Sequence, residues 1–104
     1  MERVAYFNGQ YLPESKVCVS FRDRGFILGD AVFDAERTFA GKIFRLKAHI
    51  DRLYQSLEKA RIDPGLSAAE MTEITRETVQ RNLALLGPAE DYWVMQRVTR
   101  GLAV

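Results

Sequence analysis

Leu46, Ile50, Leu53, Tyr54, Leu57 and Ala60 recur at the i, i+4, i+7, i+8 spacing of a single helix face. That stripe is stable only if another layer covers it. The segments on either side of it supply the layer, because they read as strands. Ala5–Phe7 and Gln10–Leu12 flank Asn8-Gly9, a dipeptide suited to the positive φ angles of a two-residue hairpin turn. Pro13 ends that pair. Lys16–Val19 reads as a further short strand and Arg22–Asp30, with Gly25 and Gly29, as a loop. Ala31–Phe39 reads as a longer strand, Ala40-Gly41 as a turn, and Lys42–Phe44 as its antiparallel return. Pro64-Gly65 breaks the first helix. Ser67 and Glu70 form the signature of a capping box, each side chain satisfying an amide left free at a helix start. Met71, Ile74, Thr78, Leu83 and Leu86 give the second helix an inner face, and Gly87-Pro88 stops it. Tyr92–Thr99 is rich in β-formers. Strands and helices are segregated along the chain, so the expected class is α+β, with two helices packed on an antiparallel sheet.

At 104 residues and 47% hydrophobic content the chain fits one globular domain. Such a domain hides roughly 60–70% of the surface its unfolded chain exposes. A net charge of +1 from 15 basic and 14 acidic residues creates no field for nucleic acid or an anionic membrane. The single cysteine, Cys18, permits no internal disulfide and no thiolate metal site, and suits a reducing cytoplasm. His49 is the only histidine, so no zinc site is expected. No phosphate-cradling Gly-Lys-Ser/Thr loop is present. No apolar run approaches the ~18 residues of a membrane span.

Two blocks rise above this background. The first is Asp23-Arg24-Gly25-Phe26-Ile27-Leu28-Gly29-Asp30-Ala31-Val32-Phe33-Asp34. The second is Phe44-Arg45-Leu46-Lys47-Ala48-His49-Ile50-Asp51-Arg52-Leu53. Together they resemble the class IV aminotransferases, the fold-type IV pyridoxal 5'-phosphate (PLP) enzymes. These include branched-chain, D-amino-acid and (R)-amine transaminases and aminodeoxychorismate lyases. The shared pattern is an Asp-Arg-Gly-aromatic loop, Gly-Asp, an apolar-aromatic-acidic strand, a turn, and His-x-x-Arg-Leu inside a helix. Gln96–Gly101 is similar to the family's last small-domain strand. The resemblance covers nearly the whole chain and implies that residues 1–104 are the small N-terminal domain of such an enzyme.

The resemblance implies roles. Arg52 matches the arginine that contacts the PLP phosphate, a task suited to a planar fork of donors that stays charged. Without the resemblance, Arg52 reads as a solvated helix arginine pairing with Asp51 or Glu58. His49 reads as a packed structural histidine. Phe33 matches an aromatic walling the substrate pocket, against a plain reading as core. Period 2 places Phe33, Ala35 and Arg37 on one strand face and Val32, Asp34, Glu36 and Thr38 on the other. Arg37 is thus placed to orient a substrate carboxylate, to pair with an internal acid, or to sit solvated at an edge. Met95 and Arg97 share a face of the last strand and are candidates for the same pocket. Leu28 stands where many relatives have a pocket tyrosine. Ala31 and Asp34 stand where many have glycine and glutamate.

The resemblance also implies a Schiff-base lysine in a large C-terminal domain. None of Lys16, Lys42, Lys47 and Lys59 lies in a matching context, so that lysine is expected beyond residue 104 and no catalytic residue is expected within the chain. Apolar residues run to the end, through Leu102, Ala103 and Val104, and the chain reads as truncated. The expectation is a domain that does not transaminate alone. It belongs to a cytoplasmic homodimer moving an amino group between an amino acid or amine and a 2-oxo acid. Two alternatives stand beside it: a PLP-dependent lyase of the aminodeoxychorismate kind, and a non-enzymatic fragment that self-associates through surface a missing domain would cover.

Overall fold

The computed structural model describes residues 1–103; Val104, the last of the terminal apolar residues, lies outside them. Strands β1 (Val4–Phe7) and β2 (Gln10–Pro13) form an antiparallel hairpin in which Tyr6 faces Tyr11. Asn8 and Gly9 take φ angles of 49° and 91°, as a tight hairpin turn with the right twist requires. A second sheet has the order β4-β3-β5, from β3 (Ala31–Phe39), β4 (Lys42–Ile43) and β5 (Trp93–Thr99). β5 runs antiparallel to β3 in a register from Ala31 opposite Thr99 to Arg37 opposite Trp93. Among the described residues β4 pairs only with Thr38 and Phe39, which leaves the other edge of β3 unpaired along most of its length.

Helix α2 (Leu46–Ala60) lies over β3, and α3 (Ala68–Asn82) packs beside it. The expected stripe is the core: Leu46, Ile50, Leu53 and Leu57 are buried together with Ile62 and Met71, and Val32 and Val98 of the sheet pack against them. Helix α2 stops at Ala60, before Pro64, because Arg61 turns left-handed at φ 56°. Arg100 completes that end by donating to the carbonyls of Ala60 (2.8 Å) and Arg61 (3.0 Å), where a cation also meets the negative end of the helix dipole. The Ser67–Glu70 capping box forms at the start of α3 as the sequence indicates.

Three expectations need correction. The stretch expected as a strand at Lys16–Val19 begins in a short 3-10 turn (Glu14–Lys16) and then runs irregularly. β-propensity describes a fit to a half-buried pleated surface, and no neighbouring strand provides one here. The expected loop contains a short helix, α1 (Arg24–Leu28). Asp23 caps it, its carboxylate accepting from the amides of Gly25 and Phe26, and Gly29 closes it at φ 69°. Finally, α3 buries Met71, Thr75, Val79 and Asn82, with Ile74 and Thr78 only half-buried. The polar positions are tolerated because they are bonded. Thr75 donates to Met71 O, and Asn82 bridges the backbone of Val4 through its Oδ1 (2.8 Å) and Nδ2 (2.9 Å), fastening α3 to β1. No helix among the described residues is long and apolar enough to cross a membrane.

Candidate functional site

A strand normally turns its apolar face to the core, and β3 does the reverse. Asp34, Glu36 and Thr38 are buried beneath the helices, while Phe33, Arg37 and Phe39 are exposed on the other face. Each buried polar group therefore needs a partner. Thr38 donates to Asp91 (2.7 Å) and accepts from the Tyr92 amide (2.9 Å).

Asp34 finds its partners on α2. Its Oδ2 accepts from Arg52 Nε (2.7 Å), and its Oδ1 accepts from Arg52 Nη2 (2.9 Å), from His49 Nδ1 (2.7 Å) and from its neighbour's amide at Ala35 (3.0 Å). His49 and Arg52 are three residues apart on the helix, so they reach down to the same carboxylate. An ionised carboxylate only accepts, so the 2.7 Å contact puts a proton on His49 Nδ1. The 3.4 Å approach of Arg52 Nη2 to that nitrogen is then two donors side by side on one acceptor. The Arg52 hydrogen bonds hold the Asp34 carboxyl below its ordinary value against the opposing effect of burial, with His49 helping. Asp34 in turn raises the already high Arg52 value.

The Arg52 side chain is 65% exposed although Asp34 is 3% exposed. Its Nε and Nη2 edge is occupied, and Nη1 has no partner among the described residues. The guanidinium is thus held in one orientation with an unspent donor group facing water. That arrangement suits a phosphate or carboxylate ligand.

The opposite sheet face carries the other candidates. Phe33 lies across from Arg97, Ala35 from Met95, and Arg37 from Trp93. Arg97 sits 5.4 Å from the Phe33 ring centre and Arg37 3.9 Å from that of Phe39, both within cation–π range. Arg37 also bonds Thr38 O and pairs with Asp91 at 3.2 Å. Trp93 is 75% exposed, Phe33 57% and Met95 40%. This face is apolar with fixed cations. Leu28, 70% exposed, sits on α1 beside Phe26 and Ile27, also exposed. Helix α1 is pinned to the end of β5: Thr99 donates to Asp23 (2.8 Å), and the Arg24 amide donates to Gly101 O (2.8 Å). Gly25 makes that approach possible, since a Cβ there would lie 2.4 Å from Thr99 Cγ2.

The structure therefore gathers Phe33, Arg37, Met95 and Arg97 on one surface and places Arg52 behind it. Residues 33 and 34 project to opposite faces of β3, so Phe33 and the Arg52 that bonds Asp34 lie on different sides of the sheet. Sequence reasoning missed Asp34 as the partner of Arg52, weighing only Asp51 and Glu58 on the same helix. Asp51 instead pairs with Lys47 at 2.8 Å. The signal was a carboxylate at a strand position whose neighbours, Val32 and Thr38, share the helix-facing side. All four lysines are exposed.

Comparison with known proteins places this geometry in a family. Residues 31–101 match the family described as Amino-transferase class IV. The chain is 38% identical over 97 residues to the "Putative branched-chain-amino-acid aminotransferase" of Methanocaldococcus jannaschii, covering 93% of this chain and 32% of that protein. It is 30% identical over 103 residues to the D-alanine aminotransferase of Staphylococcus aureus strain N315, covering 99% of this chain and 34% of that protein. The fold superposes on the branched-chain aminotransferase of Thermoproteus uzoniensis with norvaline, with a TM-score of 0.82 at 23% identity, over 95% of this chain and 33% of that one. A hypothetical aminotransferase from Mycobacterium tuberculosis in a PLP-bound form gives 0.80 at 22% identity, over 90% and 32%. The chain belongs to the class IV aminotransferase family. It spans about a third of the length of the curated relatives it matches.

Proposed function

We propose that the chain is the small-domain portion of a PLP-dependent aminotransferase that moves an amino group between an amino acid or amine and a 2-oxo acid. The observation that carries this reading is Arg52, clamped by a buried carboxylate and presenting its free Nη1 to solvent. PLP carries a phosphate, and the residues present fit one. Arg52 offers charge-assisted donors in a fixed direction, and the nearest acid, Asp34, is already saturated by its own partners. When bound, the cofactor supplies an electron sink for the substrate carbanion. The chain's own contribution is binding and orientation. Arg52 holds the phosphate, and the Phe33, Met95 and Arg97 surface with Arg37 presents an apolar wall and cationic ends to an amino-acid or oxo-acid substrate. Leu28, exposed on α1, is assigned to the same pocket and brings no hydroxyl to it. The lysine that carries the cofactor and moves the substrate proton lies outside residues 1–104 in this reading, within a large domain of a homodimer.

The experiment is a titration of the chain with pyridoxamine 5'-phosphate and with pyridoxamine, followed by NMR of the backbone amides of α2. A response to the phosphorylated compound alone, lost in Arg52→Gln, is expected. Equal responses to both compounds overturn the phosphate assignment. The chain mixed with PLP and an amine donor is expected to give no turnover, and turnover overturns the separate placement of the lysine.

A second reading has its own observation. The exposed Phe33, Phe39, Phe44 and Trp93 form an apolar surface of a kind that seeks cover. In that reading the chain self-associates through the face. Light scattering separates the two, since a strictly monomeric chain at high concentration counts against self-association.

A further inference from the structure

Glu36 belongs neither to the Arg52 cluster nor to the exposed face. It is 4% exposed, and its one side-chain partner among the described residues is Gln96, 7% exposed, whose Nε2 donates to Glu36 Oε1 at 3.0 Å. The other Nε2 hydrogen is also placed, on Thr75 Oγ1 at 3.1 Å, because the Thr75 hydroxyl donates to Met71 O. Thr75 therefore fixes the Gln96 amide: a half-turn would set its oxygen against a hydroxyl oxygen whose hydrogen is committed to Met71 O.

Two buried oxygens are left over: Glu36 Oε2 and Gln96 Oε1, which lack partners among the described residues. Both are acceptors if Glu36 is ionised. Two unpaired acceptors in one buried spot are a double desolvation cost. A single proton on Glu36 removes both deficits. We propose that Glu36 is held as the neutral acid in the folded chain, its Oε2–H donating to Gln96 Oε1. The two side chains then form a cyclic hydrogen-bonded pair that latches α3 to the sheet and releases as pH rises. The proton comes from solvent on folding and returns to it on release.

The groups around the pair act in both directions: burial, the largest effect, raises the Glu36 carboxyl, and the His49 charge lowers it more than the Asp34 charge raises it. On its own strand the charged neighbour is Asp34, whose negative charge disfavours a second one. From α2 come His49, next to Asp34, and, farther off, the Arg52 guanidinium. From α3 and β5 come Thr75 and Gln96, neither of which carries charge. No cation among the described residues touches the Glu36 carboxyl. Burial pushes this carboxyl above the usual carboxylate range, with the Gln96 bond pulling the other way. The folded chain then binds a proton that the unfolded chain has lost. The latch contributes fully below the ordinary glutamate value and fades as pH rises through the folded one. A neutral Glu36 also keeps a second negative charge away from Arg52. That consequence rests on the phosphate reading above; the protonation does not.

The test is the pH dependence of urea unfolding for the 104-residue chain and for Glu36→Gln, which keeps a cyclic amide–amide pair of the same shape. The ratio of folding constants, native over variant, is expected to fall, by at most about tenfold per pH unit, across the window between the two Glu36 values. Parallel pH profiles overturn the proposal. A second readout needs no variant: NMR titration of the Glu36 13Cδ. An acid-form shift that persists above the ordinary glutamate value of ~4.3 supports the latch. Ionisation at or below that value overturns it, whatever the phosphate experiment shows.

Discussion

Asp34→Asn changes the central carboxylate of the cluster with almost no change in shape. The carboxylate accepts from Arg52 twice, from His49 and from the Ala35 amide. An amide offers one acceptor atom and turns the other into a donor. With its oxygen kept on Arg52 Nε, the new NH2 confronts Arg52 Nη2 and the Ala35 amide. His49 can adapt by moving its proton to Nε2 and accepting at Nδ1. Two hydrogen bonds to a charged acceptor are lost. Such bonds are worth ~1.5–3 kcal/mol each when dry, but Arg52 is 65% exposed and its share is screened toward the ~0–1 kcal/mol of a surface pair. The expected cost is about 1–2 kcal/mol near neutral pH. With a urea slope of roughly 1–3 kcal/mol/M, the midpoint should drop by about 0.3–2 M. The pH profile sharpens the test. The folded Asp34 value lies below the unfolded one, so its contribution is present above the unfolded value and is lost as pH falls through the folded one. The difference between native and variant should therefore shrink as the solution is acidified below about pH 4. A difference that persists unchanged into acid, or no difference near neutrality, refutes the assignment of Asp34 as an ionised, saturated acceptor.

Leu53→Ala, at a fully buried core position, should cost about 2–5 kcal/mol in the same urea assay. Gly25→Ala should destabilise the chain by about 1–3 kcal/mol, because the added methyl meets Thr99 Cγ2 and the capping Asp23 carboxylate; Gly25→Ala with Thr99→Ser, which removes the clashing methyl, should recover part of the loss. Ser67→Ala removes one half of the capping box and should cost about 1 kcal/mol, read as a lower thermal midpoint by circular dichroism.

The local rules were legible wherever a residue's own chemistry decided the backbone. Asn8-Gly9 and Ala40-Gly41 take the left-handed angles that their turns need, and Ser67 with Glu70 starts a helix. The spacing from Leu46 to Leu57 marks a buried stripe whatever covers it. The short helix at Arg24–Leu28 was not legible, because two glycines and an aromatic in so few residues look like a loop. It stands because Asp23 caps it and the end of β5 receives it. The phase of α3 was misread for a related reason: Thr75 and Asn82 are buried only because Met71 O and the Val4 backbone meet them.

Periodicity, turn chemistry and motif order were enough for the α+β class, the extent of β3, the buried stripe of α2, and the pattern that marks the family. Which face of β3 is inside depended on packing. Alternation says that Phe33 and Asp34 point apart but not which one is buried, and hydrophobicity alone would bury Phe33. The burial of Asp34 and Glu36 depends on partners distant in the chain: Arg52 and His49 on α2, and Gln96 on β5. Those contacts exist only once the helices lie on the sheet. They make Arg52 a donor held in one orientation, and they leave the aromatic face open.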